Sequence, residues 1–111
     1  MKESRKSREC RSDQLSLLMP LRNFLEGIKD DHRIRTTHTA VFLTLYGLWL
    51  ENNGHNPIPI IKKKVMEKAK IISQMTWHRT IIELNEYGYI EYQPTYNRTR
   101  VSTVSLYNIV L

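Results

Sequence analysis

The sequence is poor in the residues that build covalent or metal-stabilised folds. Its 111 residues include one cysteine, four glycines and four prolines. A single cysteine, Cys10, cannot form a disulfide within the chain, and it excludes a cysteine-rich zinc site. The four histidines lack the HExxH spacing of zinc enzymes. We therefore expect no bound metal ion.

Long apolar segments are absent as well. The longest, residues 41–50, is interrupted by Thr44, Tyr46 and Gly47, and it has about half the length of a membrane-spanning helix. Residues 1–14 are charged and lead into no uninterrupted apolar stretch, unlike a secretory signal. These absences predict a cytoplasmic protein without a membrane partner.

No residue pattern typical of catalysis is present. Thr39 and Ser73 have no neighbouring acid–base arrangement that would activate a hydroxyl nucleophile. The four glycines are scattered along the chain, so no glycine-rich loop could cradle the phosphates of a nucleotide. The sequence therefore predicts a protein that is not an enzyme and carries no cofactor.

Basic charge is plentiful and unevenly distributed. The length and a 41% hydrophobic content are those of one globular domain, and the net charge of +6 favours an anionic partner. The excess lies in residues 1–13, in five lysines within residues 62–70, and at Arg98 and Arg100. If these three regions converge in space, they form an electrostatic surface for phosphates.

The first 30 residues predict a tail followed by a helix. Residues 1–14 lack apolar periodicity and predict a flexible basic tail. Residues 15–30 predict an amphipathic N-terminal helix that contains Pro20 in its first turn. Its apolar residues fall at i, i+3, i+7 and i+10, namely Leu18, Leu21, Leu25 and Ile28.

The remaining residues, 31–111, predict one further domain. Residues 38–52 form its most hydrophobic helix, with Thr36 or Thr37 as the N-cap. A short edge strand follows, and then a helix over residues 62–70. Ser73 caps the next helix, which buries Trp77, Ile81 and Leu84 and ends before Gly88. Residues 89–93 and 100–108 predict two strands joined by a polar loop.

This order resembles the winged helix-turn-helix family from Thr36 onward. The resemblance rests on the stretch Ile71-Ile72-Ser73-Gln74-Met75-Thr76-Trp77-His78-Arg79, followed by Ile81, Leu84, Glu86, Gly88, Tyr89 and Ile90. With Thr36-Thr37-His38-Thr39 and Asn56-Pro57, the chain also resembles small regulators of Bacteroidetes mobile elements. The implied fold is α+β and mostly helical. It has a three-helix core, a small antiparallel wing sheet and the additional N-terminal helix.

The resemblance implies sequence-specific binding of double-stranded DNA, as a transcriptional regulator or a mobile-element accessory factor. The helix over residues 73–87 would enter the major groove. The residues expected to read bases are Gln74, Thr76, His78 and Arg79. The residues expected to hold the DNA backbone are Lys62, Lys63, Lys64, Lys70, Ser73, Arg98 and Arg100, and the wing residues Tyr96 and Asn97 are weaker candidates. One departure from the family is Ile61, which cannot cap the helix that follows it.

Two alternatives stay open. The same scaffold also occurs in modules that bind proteins, and an exposed Met75 and Ile82 would suit such a module. The helix over residues 15–29 has two possible roles as well. It either packs on its own domain, or it joins two copies of the chain into a homodimer.

Overall fold

The computed structural model describes residues 11–95 and 100–107, with side chains from residue 15 onward. It is an α+β fold, mostly helical, as the sequence predicts. The elements in chain order are α1 (Arg11–Ile28), α2 (Thr36–Glu51), β1 (Ile58–Ile60), α3 (Lys62–Ala69), α4 (Gln74–Glu86), β2 (Ile90–Gln93) and β3 (Ser102–Leu106). No helix within these residues is long and apolar enough to cross a membrane.

α2 forms the centre of the core, as its composition predicts. Val41, Leu45 and Trp49 are completely buried on one side of the helix. The predicted N-cap was wrong, because Arg35 occupies that position and neither Thr36 nor Thr37 does. The ring of His38 takes over the capping role, since its Nδ1 accepts a hydrogen bond of 2.9 Å from the backbone N–H of Arg35.

The three strands form a small antiparallel sheet in the order β1-β3-β2. Ile58 of β1 pairs with Val104 of β3, and Ile90 of β2 pairs with Leu106. The predicted edge position of β1 is confirmed, and it suits Pro59, which has no backbone N–H to donate. β3 is shorter than predicted and begins only at Ser102.

The side chain of Asn56 joins the sheet to α2. Its Oδ1 accepts hydrogen bonds from Trp49 Nε1 and from the backbone N–H of Leu106, each at 3.0 Å. Its Nδ2 donates to the carbonyl of Leu106 at 2.8 Å. These bonds fix the end of β3 against the C-terminal half of α2.

α1 differs from its prediction at its start. The helix begins at Arg11 rather than Leu15, so Pro20 lies inside the helix and not in its first turn. Hydrophobic periodicity does not detect this start, because a first turn needs no apolar residue. The ring of Pro20 is buried, and the missing N–H leaves the carbonyl of Ser16 without its usual helical hydrogen bond.

α1 packs on its own domain through Phe24. This side chain is 1% exposed and stacks on Phe42, with ring centroids 4.0 Å apart. The rings of Phe24 and Tyr89 also form an edge-to-face pair, with centroids 5.3 Å apart. The predicted apolar stripe is therefore divided between two faces. Leu21 and Ile28 pack against the core, whereas Leu18 and Leu25 are about half exposed.

Candidate nucleic-acid interface

One face of α4 is fixed in the core and the other is free. Trp77, Ile81 and Leu84 are buried, as predicted from their spacing. Ser73 caps the helix, with its Oγ accepting a hydrogen bond of 3.2 Å from the backbone N–H of Thr76, and this prediction is also confirmed. Because the buried face is fixed, the opposite face of the helix is presented outward.

The four residues predicted to read bases lie along the first two turns of α4. Gln74, His78 and Arg79 are exposed, whereas Thr76 is half-buried. These side chains offer amide, imidazole and guanidinium groups, all of which can form hydrogen bonds to base edges. Met75 lies among them and is 81% exposed.

Three of the four lysines predicted to hold the DNA backbone lie at the start of α3, and the fourth lies at its end. Lys62, Lys63 and Lys64 are exposed, and Nζ of Lys62 donates to Oε1 of Gln74 at 3.3 Å. This contact places the start of α3 beside the start of α4. Lys70 ends α3 in a left-handed conformation, with φ 63°. Within the described part of the chain, none of these four lysines forms an ion pair.

The cap of α3 is weak, as the sequence indicates. Ile61 occupies the N-cap position and its side chain makes no capping hydrogen bond. At this helix end the lysine side chains therefore lie beside backbone N–H groups that no N-cap side chain satisfies.

The residues predicted to form a wing are only partly described. Arg100 is exposed and lies just before β3. Tyr96, Asn97 and Arg98 lie outside the described residues.

A second basic region lies beside α4, in the linker between α1 and α2. A cleft of about 370 Å³ separates this linker from the side of α4. Sequence reasoning does not detect it, because acidic neighbours in the chain cancel Arg33 and Arg35 in a count of charge. We call it the arginine cleft, after the three arginines among its lining residues Arg33, Arg35, Thr36, Thr37, Thr76 and Arg79.

Arg33 is held rigidly on one side of the cleft. Its Nε and Nη2 donate to the two carboxylate oxygens of Asp31, at 2.8 and 2.9 Å. Its guanidinium lies 4.0 Å from the centre of the Tyr87 ring. Asp31 also accepts a hydrogen bond of 2.6 Å from the hydroxyl of Tyr89. The hydrogen bonds from Arg33 and Tyr89 lower the pKa of Asp31 well below its usual value.

The same contacts raise the pKa of Tyr89. Burial of the phenol disfavours the phenolate, and the neighbouring Asp31 carboxylate disfavours it further. Together they raise the pKa of Tyr89 to about 12. The phenol therefore keeps its proton and continues to donate it to Asp31 through the neutral range.

The opposite side of the cleft is fixed by His38 and Glu83. His38 is 2% exposed, and its Nε2 lies 2.8 Å from Oε1 of Glu83. Because Nδ1 accepts a bond from the backbone of Arg35, the ring proton is on Nε2 and is donated to Glu83. This bond ties the start of α2 to the middle of α4 across 45 positions of sequence.

Metal-ligand geometry does not occur in the described part of the chain, where no three His, Cys, Asp or Glu side chains cluster as a metal site would need. The site consists of the outer face of α4, the lysines beside it and the arginine cleft.

Comparison of the chain with known protein families, curated protein sequences and solved structures gives no significant match.

Proposed function

We propose that this protein binds double-stranded DNA in a sequence-specific way, as a winged helix-turn-helix transcriptional regulator or mobile-element accessory factor. The observation that carries the proposal is the outer face of α4. Its exposed Gln74, His78 and Arg79 lie beside three lysines of α3 that have no acidic partner among the described residues. The succession of elements from α2 to β3 is the one that the family resemblance implies, which supports the same conclusion.

Base reading is assigned to the exposed polar groups of α4. The amide of Gln74 suits the N6 and N7 edge of adenine, and the guanidinium of Arg79 suits the O6 and N7 edge of guanine. His78 and Thr76 are polar groups of suitable length on either side. The exposed Met75 adds an apolar contact that suits the methyl group of thymine.

We assign contacts with the DNA backbone to the basic residues around that face of α4. The residues proposed to contact phosphates are Lys62, Lys63, Lys64, Lys70, Arg98 and Arg100. Ser73 joins them, because its Oγ accepts the capping bond while its own proton stays available for a phosphate oxygen.

A second copy of the chain is the proposed protein partner. Leu15, Leu18 and Leu25 of α1 are each about half exposed, and their spacing places them on one helix face, which we call the leucine seam. Positions i, i+3 and i+10 match the seam of a two-helix coiled coil, with Arg22 at the remaining position i+7. A twofold pair would present two α4 helices to successive turns of the DNA.

The test is selection of bound sequences from a random duplex library, followed by titration of the selected site against salt. About four to six phosphate contacts predict a log–log salt slope of about −4 to −5. Enrichment of a common sequence with this slope supports the proposal. A flat slope, or no binding of duplex DNA, contradicts it.

The second candidate is a module that binds another protein through the same region. Ile72 is 96% exposed and Met75 is 81% exposed, at the turn between α3 and α4. Two large apolar side chains so fully exposed are typical of a contact with a protein. Loss of partner binding on Ile72→Ser substitution, in a chain that does not bind DNA, would favour this candidate.

A further inference from the structure

We infer that the arginine cleft is a phosphate-binding site, with Arg35 and Arg33 as its cationic ligands. In its DNA form the inference rests on the proposed function, because the phosphate then belongs to the backbone beside the bases that α4 reads. The chemistry is the same for a free phosphorylated molecule, which is the other source that the test has to separate.

The first step of the argument is charge. Arg35 is exposed, and its guanidinium makes no ion pair with any described residue. Arg79 lines the cleft from α4 and also makes none in the described part of the chain. The acidic residue in the lining is Glu83, whose Oε1 accepts the proton of His38. Asp31 balances Arg33, but Arg35 and Arg79 together still outweigh Glu83, so positive charge exceeds negative charge in the cleft.

The second step is rigidity. Arg33 is clamped by two hydrogen bonds to Asp31 and by the ring of Tyr87. These contacts use Nε and Nη2, so Nη1 is left to donate to a ligand. An arginine held in place loses little side-chain entropy on binding, and the N–H groups that Asp31 does not use can donate to a phosphate oxygen.

The third step concerns the uncharged residues that line the cleft. Thr36 and Thr37 at the start of α2 and Thr76 of α4 contribute hydroxyl groups to the same cleft. A hydroxyl can donate to an anionic oxygen without adding charge, which suits a tetrahedral group with several acceptors. Arginines together with hydroxyls form a donor set for phosphate, and not for a cation or an apolar molecule.

The position of the cleft favours DNA as the source of the phosphate. Thr76 and Arg79 line the cleft and also belong to the helix proposed to enter the major groove. A volume of about 370 Å³ that opens beside this helix leaves room for a phosphate attached to a longer chain. The linker would then hold the DNA strand beside α4.

The experiment compares Arg35→Gln with Lys68→Gln. Each substitution removes one positive charge, but Lys68 lies 3.9 Å from Glu51 and outside the proposed interface. Arg35→Gln keeps the backbone N–H that donates to Nδ1 of His38 at the start of α2, so we expect both variants to retain the thermal midpoint of the wild type. Affinity is measured by fluorescence anisotropy on the selected duplex and on an unrelated duplex, over a range of salt concentrations.

Arg35→Gln is expected to weaken binding of both duplexes about tenfold, and to reduce the magnitude of the salt slope by about 0.9. Lys68→Gln is expected to leave both quantities close to those of the wild type. A parallel titration without DNA uses pyrophosphate and follows the amide signals of Thr36 and Thr37 by NMR. Shifts that disappear in Arg35→Gln identify a free phosphorylated molecule as a ligand.

The outcomes separate the two proposals. If the wild type binds no DNA but binds pyrophosphate through Arg35, the proposed function fails and the phosphate site stands. If DNA binding depends on Arg35 and pyrophosphate does not bind, the source is the DNA backbone. If Arg35→Gln changes neither DNA binding nor pyrophosphate binding, the inference is overturned.

Discussion

Gly47 and Gly54 differ in what an added methyl group would meet. A Cβ at Gly54 would lie 2.6 Å from Cδ2 of Leu17, and the backbone has φ +72°, a conformation that disfavours L-residues. A Cβ at Gly47, inside α2, would meet nothing within 4 Å apart from its chain neighbours and the backbone of its own helix. We expect Gly54→Ala to lower the free energy of unfolding by about 2 kcal/mol, measured by urea denaturation.

Gly47→Ala is the matched control for this prediction. Alanine is the better helix former by about 1 kcal/mol, and the space at Gly47 is open, so we expect a small increase in the free energy of unfolding. Equal effects of the two substitutions would contradict the packing of Leu17 against Gly54, in the turn that follows α2.

Substitutions of Arg79 and Lys63 distinguish a residue that reads bases from a residue that only holds the DNA backbone. If Arg79 makes a bidentate contact to a base, Arg79→Ala reduces discrimination at one or two base pairs by about 1–3 kcal/mol each. Lys63→Ala removes only a phosphate contact, so it should weaken binding to all duplexes alike. Affinities for the selected site and its single-base variants give the answer. An equal loss on every sequence for both variants would make Arg79 another phosphate ligand.

Single residues were predictable where their role is local. Ser73 is three residues from the N–H that it caps, and Trp77 shares a helical period with Ile81, so spacing alone identifies both. The bond from Nε2 of His38 to Glu83 was not predictable, since it joins residues 45 positions apart. Arg35 was missed because a count of charge along the chain cancels it against Asp30 and Asp31, whereas in the fold Asp31 pairs with Arg33 and Arg35 has no ion pair among the described residues.

At the scale of elements, α1 shows the limit of apolar periodicity. The helix carries two overlapping apolar faces, one centred on Phe24 and the other on Leu18 and Leu25. Both satisfy helical spacing, and only packing against Phe42 and Tyr89 decides which is buried. The existence and type of α1 therefore followed from the pattern, whereas its buried face did not.

The hydrogen bond from Tyr89 to Asp31, in the linker between α1 and α2, should make the free energy of unfolding depend on pH in the alkaline range. The pKa of Tyr89 is raised from 10 to about 12 in the folded chain, so the unfolded chain releases this proton at a lower pH. The free energy of unfolding contributed by Tyr89 is complete below about pH 10 and is lost as the pH rises toward about 12. Urea denaturation over about pH 9 to 11 should show a steeper decline for the wild type than for Tyr89→Phe.

Tyr46 serves as the internal reference for that comparison. Burial raises the pKa of its phenol too, and it is present in both proteins, so its contribution cancels in the difference. Parallel pH profiles for the wild type and Tyr89→Phe would mean that the bond from Tyr89 to Asp31 does not persist in solution.

For the whole molecule, the leucine seam predicts a dimer. We expect sedimentation velocity to show a dimer for the full chain at micromolar concentration and a monomer for the double variant Leu18→Gln, Leu25→Gln. Both leucines are about half exposed, so the variant should keep its fold. It should also bind a paired DNA site less tightly, because two half-sites are no longer engaged together.

Leu43→Gln is the control, because Leu43 is 48% exposed on α2 and lies outside the seam. This variant should remain dimeric. A monomeric wild type at high concentration would contradict the role proposed for the seam. A double variant that stays dimeric would contradict the same role.

The arrangement of the sheet also determines when the fold can be completed during synthesis. β3 is the last described strand in the chain, yet it lies between β1 and β2 and supplies the pairing for both. The four helices can therefore collapse around α2 before any strand has its partner. A nascent chain carries two unpaired strand edges until residues 102–106 leave the ribosome. Pausing of translation just before that point would lengthen the period in which the chain is open to aggregation.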